Sequence, residues 1–248
     1  MSKPALSISF RIDRLVQVLF GCLVFFVLAH IATQTARFTT GHSSIFGLVE
    51  LFNLDRENNI PTAFGSFILI IAALFAALIG QHARRHKERY ATHWLLMAAL
   101  FSLFALDEAA SMHEWLEGPV KAILGTDTQG FFFYAWVIPG IMIVLALALI
   151  FFRFFLQLPR MTQRGLLVAF LLYFGGAIGV EILEGRYEEV AGEHTPGYAI
   201  FTLVEETLEM LGVLVAIRTL ANDFVKRCDN IHIAVRDGAN AEAPRLTP

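Results

Sequence analysis

Three short stretches concentrate groups that can do chemistry. LDEAASMHE (106–114) carries Asp107, Glu108, His113 and Glu114; EILE (181–184) carries Glu181 and Glu184; EETLE (205–209) carries Glu205, Glu206 and Glu209. Each stretch lies in or at the end of an otherwise apolar run. Carboxylates and a histidine are the donors that hold divalent cations. They are also the groups that exchange protons when pressed together, because like charges a few ångströms apart raise one another's pKa. Helical spacing puts Asp107, Ser111 and Glu114 on one stripe, Ala177, Glu181, Glu184 and Glu188 on a second, and Thr202, Glu205, Glu209 and Gly212 on a third. Small residues in these stripes let neighbouring helices approach. Three helices are therefore expected to turn carboxylates toward one cavity. Glu108 and Glu206 fall about 100° off the stripes and rank lower. His113 flanks the Asp107 face.

The elements that position these residues are membrane spans. Of 248 residues, 56% are hydrophobic and only 17% charged, and 23 are Phe. That balance is too apolar for an ordinary soluble domain. Six runs, at 15–34, 62–82, 91–116, 130–157, 165–187 and 197–221, are long enough to cross a hydrocarbon core of about 30 Å. The first run is read as an uncleaved span. The predicted fold is all-α, a polytopic membrane protein with six transmembrane helices. Its spans occupy 1–223, ahead of a partly disordered cytoplasmic tail at 224–248. Placing both termini in the cytoplasm puts fifteen of the nineteen Lys and Arg residues inside, as the positive-inside rule demands. Sixteen of the 22 acids then lie in the outer loops or outer halves of helices.

Depth sharpens the reading. Glu209 lies about 20 Å below the start of the last span and Glu205 about 13 Å. A carboxylate at the bilayer centre costs about 2.5–3.5 kcal/mol on the lenient scale, so both need a partner. Divalent metal, shared protons, or Arg186 with water could each supply one. Asp55, Glu57, Glu117, Asp127, Glu188, Glu189 and Glu193 read as solvated loop charges. His30 reads as a hydrogen-bonded packing residue, and His194 is placed within reach of the cavity. The first outer loop, SSIFGLVELFNL (43–54), predicts a short interfacial helix capped by Ser43 or Ser44. WVIPG (136–140) predicts a kink at Pro139 within the fourth span.

Several classes are excluded. There is no G-x-S-x-G elbow, no HExxH and no phosphate loop. Glu-x-x-His pairs, which build di-iron sites in helical bundles, are absent. The late histidine pair of membrane zinc hydrolases of the alkaline ceramidase type is missing too. No basic, aromatic surface points to nucleic acid. Cys22 and Cys228 are too far apart on this topology to pair.

LDEAASMHE, NIPT (59–62) and EETLEMLG (205–212) together resemble an uncharacterised family of bacterial six-helix integral membrane proteins. The likeness covers most of the chain. It implies a multi-pass protein of the bacterial inner (plasma) membrane and brings no activity or site with it. The residues themselves point to an outward-facing cluster of Asp107, His113, Glu114, Glu181, Glu184, Glu205 and Glu209 that binds a divalent metal ion. Action on a lipid or lipid-soluble substrate is an extension of that reading. The alternatives are a proton- or cation-coupled transporter and a non-catalytic accessory subunit held by partner membrane subunits.

Overall fold

The computed structural model describes residues 11–125 and 128–228. Asp127 and the tail from 229 onward lie outside the described residues. Among those described, the ordered elements are all helical. They are α1 (Ile12–Thr40), α2 (Leu48–Phe52), α3 (Ile60–Arg85), α4 (Ala91–Ala110), α5 (Glu117–Leu124), α6 (Val137–Gln157), α7 (Arg160–Phe174), α8 (Glu181–Ala191) and α9 (Pro196–Arg227). A π-helical segment, Gly175–Val180, joins α7 to α8 without a break. Five helical stretches are long and apolar enough to cross a bilayer: α1, α3, α4, α6 and the continuous Arg160–Ala191. The sixth long helix, α9, has 32 residues and carries Glu205, Glu206 and Glu209 in its N-terminal half.

Local chemistry sets the helix ends. Asn59 accepts the Thr62 N–H at 3.1 Å, and Pro61 occupies the first turn of α3, where a missing N–H costs nothing. Thr195 caps α9 in the same way, taking the Tyr198 N–H at 3.3 Å ahead of Pro196. Gly41, at φ 72°, closes α1 by donating its N–H to the Arg37 carbonyl, the glycine-specific C-terminal turn.

α3 and α9 form the centre of the bundle, with α1 and α4 packed on them and α7 against α9. Ile68, Leu69, Ala72, Ala76, Ile79 and Ala83 recur at helical spacing along the buried face of α3. Val213, Leu214, Ile217, Leu220 and Phe224 do the same on α9. Gly176 and Gly212 set how closely α7 and α9 approach. A Cβ at Gly176 would stand 2.7 Å from the Glu205 carbonyl, and one at Gly212 2.7 Å from the Tyr173 nitrogen. α6 meets the bundle at two places, the π segment near its start and Phe154 near its end, which is buried against Tyr90, His93 and Trp94. It exposes Met142, Ile143, Leu145, Leu149, Ile150 and Phe152, a surface that suits lipid.

Four sequence expectations change. The third span ends at Ala110 rather than 116, because Ser111 adopts a left-handed conformation, φ 45°. Glu114 therefore sits in a 3-10 turn, Glu114–Leu116, and not on the stripe of Asp107. The fourth span starts at Val137, so Pro139 lies in the first turn of α6 and kinks nothing. The loop helix α2 has five residues and starts after Gly47, while Ser44 instead accepts the Gly47 N–H at 3.2 Å. The last helix runs on to Arg227, past the expected boundary at 223. Its end is fixed by Thr162 and Arg227, which donate to Asp223 at 2.9 and 2.6 Å, and by Arg227 pairing with Glu88 at 2.8 Å.

Candidate functional site

The long helices alternate in direction, so the connections 41–59, 111–136 and 192–195 gather at one end of the bundle. A cavity of about 560 Å³ opens among them. Its wall holds thirteen carboxylates. Asp55 and Glu57 come from the first loop; Asp107 and Glu108 from α4; Glu114 and Glu117 from the following turns. Glu181, Glu184 and Glu188 come from α8, Glu193 from the next loop, and Glu205, Glu206 and Glu209 from α9. All seven residues singled out in the sequence line this cavity, His113 included. So do Glu108 and Glu206, which the helical phase had set aside, and five acids read as loop charges: Asp55, Glu57, Glu117, Glu188 and Glu193. Among the described residues, Arg56 is the one Lys or Arg in the wall. Arg186 does not join it. It pairs with Glu189 at the exposed surface instead. His194 is also turned away, paired with Glu193 at 3.2 Å and largely exposed.

Asp107 organises the end of α4. Its Oδ1 accepts the His113 N–H at 2.8 Å, and its Oδ2 meets His113 Nδ1 at 3.1 Å. These bonds hold the reversal that the strained Ser111 backbone makes. Burial alone would lower the His113 pKa, but the Asp107 bond and charge outweigh it and raise it. The His113 ring packs against Trp136, centroids 4.6 Å apart. Trp136 in turn donates Nε1–H to Glu181 at 2.9 Å and its backbone N–H to Glu117 at 3.2 Å. Trp136 thus ties α4, the 111–136 connection and α8 together.

Glu205 lies within hydrogen-bond reach of both Glu181 and Glu184. Glu184, 4% exposed, also accepts from Thr202 at 2.6 Å. Glu205 is 8% exposed and, among the described residues, faces other carboxylate oxygens rather than a donor. Two carboxylates in contact need a proton or a cation between them. At the mouth, Tyr198 donates to Asp55 at 2.8 Å and Tyr134 to Glu188. Burial, and then Glu188, push the Tyr134 phenol far above its ordinary value, so it stays a donor. Burial, with Glu114 next, raises the Glu57 carboxyl above the usual range. His30 fills the packing role expected of it. It is 1% exposed, accepts the Leu54 N–H on Nδ1 at 3.0 Å, and points Nε2 at the Ala199 carbonyl, 3.4 Å away. It pins the first loop to α1 and α9. Among the described residues, no three acidic, histidine or cysteine side chains already converge as a ligand set.

Trp136, Tyr134 and Tyr198 were not singled out in the sequence. The available signal was positional: aromatic residues with a polar tip, next to helix starts at the acidic end.

Fold and cavity together define a class: an all-helical bundle of the membrane-spanning type with a carboxylate-lined cavity at one end. The chain belongs to a family described as a domain of unknown function, DUF8692, whose model matches residues 18–223. No curated protein and no solved structure matches it.

Proposed function

We propose that the cavity is a cation site on the outer side of a six-span bundle in a bacterial inner membrane, with both termini in the cytoplasm. The ion is divalent, held by carboxylates drawn from Asp107, Glu114, Glu181, Glu184, Glu205 and Glu209, with His113 beside them. One observation carries this reading: among the described residues, thirteen carboxylates share a cavity with a single Lys or Arg, Arg56. Two unit charges 4 Å apart repel by about 4 kcal/mol at an effective dielectric of 20. A wall so charged draws in cations or protons. Oxygen donors without thiolate favour hard ions such as calcium, magnesium or manganese. His113, with Nδ1 engaged by Asp107 and no hydrogen-bond partner on its other nitrogen among the described residues, is oriented as metal-binding histidines are. Binding would draw the carboxylates inward, since they are spread over the wall. The outer placement rests on the charge bias of the chain: Arg84, Arg85, Arg89, Arg153, Arg160, Arg164 and Arg218 sit at the opposite end from the cavity. A lipid-soluble substrate acted on beside the ion is the extension of this proposal.

A second reading has its own support. The Glu181–Glu205–Glu184 contact is one that shared protons also satisfy, which suits a proton- or cation-coupled transporter. Elemental analysis and Mn²⁺ or Ca²⁺ titration of the purified full chain separate the two. The divalent site predicts saturable binding that falls about tenfold or more in Glu205→Gln and is unchanged in Glu189→Gln. A parent protein that binds no divalent ion, yet carries pH-dependent flux in vesicles, supports the transporter. No ion, no flux and stably co-purifying chains would support an accessory subunit.

A further inference from the structure

A second cavity lies on the apolar side of the bundle. Because α6 stands off from α4 and α7, a space of about 430 Å³ opens between them, and its walls include Phe101, Phe104, Phe151, Phe155, Phe170 and Phe174. Several lining residues, among them Phe152, Leu156 and Leu167, are exposed, so the space communicates with the surrounding hydrocarbon. Two observations tie it to the acidic cavity. Tyr173 lines both. On three helices the wall passes from one cavity to the other within three residues: Phe104 to Asp107, Phe174 to Ala177, and Gly212 back to Glu209. Three residues are about 4.5 Å of helix. The boundary runs at one level across the bundle, apolar on one side and anionic on the other.

We propose that the two cavities together hold a single-chain amphiphile with an ammonium head. The chain lies in the phenylalanine-lined gap and the head enters the acidic cavity past Tyr173. This rests on the reading of that cavity as a cation site, and it names the class of lipid-soluble molecule that uses it. Volumes of 430 and 560 Å³ fall within the range of small-molecule pockets, and the smaller one suits one chain rather than two. The head is cationic because carboxylates stay in excess even with a divalent ion bound, so a phosphate or carboxylate head is repelled. Glu205, buried and among the described residues facing only acceptors, gains a donor from an ammonium, which has three. The faces of Trp136 and Tyr134 favour the same charge.

The test uses the full chain in lipid nanodiscs and dodecylamine bearing a photoreactive diazirine near the chain end. Dodecanol and dodecanoate with the same group serve as comparisons. The amine is expected to label peptides of α4, α6 and α7, with at least about tenfold less labelling by the alcohol and the acid. Ala148→Trp fills the gap from the exposed face of α6. It should cut amine labelling by a similar factor while Mn²⁺ binding stays unchanged. Equal labelling by all three heads, or labelling indifferent to Ala148→Trp, overturns the amphiphile. If Mn²⁺ still binds in that case, the cation reading stands alone. If neither Mn²⁺ nor the amine binds, both fall.

Discussion

At the scale of single residues, Trp136 shows what helical phase misses. Its indole N–H is a donor to Glu181 in a wall made mostly of acceptors, and its ring supports His113. Trp136→Phe keeps an aromatic ring and removes the donor. It should destabilise the folded protein by about 1–3 kcal/mol, the cost of leaving a buried acceptor unpaired. Added Ca²⁺ or Mn²⁺ should restore part of that loss by neutralising Glu181. Thermal melting in detergent, with and without the ion, measures both effects. A melting point unchanged by the substitution would mean that Glu181 does not depend on this bond. Glu114 and His113 reach the cavity from the turns after α4, whereas Asp107, Glu181, Glu184, Glu205 and Glu209 were legible because the 3.6-residue period assigns directions to side chains. Glu108 and Glu206 were not, because a direction says nothing about how wide the receiving space is. Near the end of α4 the cavity wraps the helix, so neighbours 100° apart both reach it. Glu108 even lies close against the bare Gly65 of α3. Asp55 and Glu57 lie in the first loop, as expected, and their place at the cavity wall has another cause. His30 and the Gln34–Asn53 bond, 2.8 Å long, pull the first loop over the cavity, and no local pattern announces contacts across nineteen or more residues.

At the scale of elements, the long helices were readable and their ends less so. Long apolar runs specify helices wherever backbone groups must be satisfied without water. The early stop of α4 depends on Asp107 binding the His113 backbone, a side-chain choice that hydropathy does not register. The π segment was likewise invisible, although GGAIGV (175–180) holds the small residues that permit it. π segments occur often at functional sites, and this one delivers Glu181 to the cavity. Its Gly176 packs on the α9 backbone, whereas Gly175 and Gly179 face open space. Gly176→Ala should cost about 1–3 kcal/mol through overpacking and should weaken divalent-ion binding by pushing Glu205 away. Gly175→Ala should do neither. Melting curves and Mn²⁺ titrations of the two variants provide the comparison, and equal behaviour would show that the α7–α9 approach does not set the site.

At the scale of the whole molecule, alternating helices put every acidic stretch at one end and most basic residues at the other. Orientation is then a matter of which end faces the cytoplasm. With Cys22 and Cys228 replaced, a cysteine at Lys87 should be shielded from an impermeant maleimide in intact cells, and one at Lys121 should react. The reverse pattern would turn the cavity toward the cytoplasm. The space beside α6 has a further consequence. It opens sideways, so a molecule that arrives through it never passes through water. Its effective concentration is a mole fraction in the membrane, not a molarity in the buffer. Adding bare lipid at a fixed amount of protein and ligand should therefore empty the site, whereas adding buffer should leave it filled.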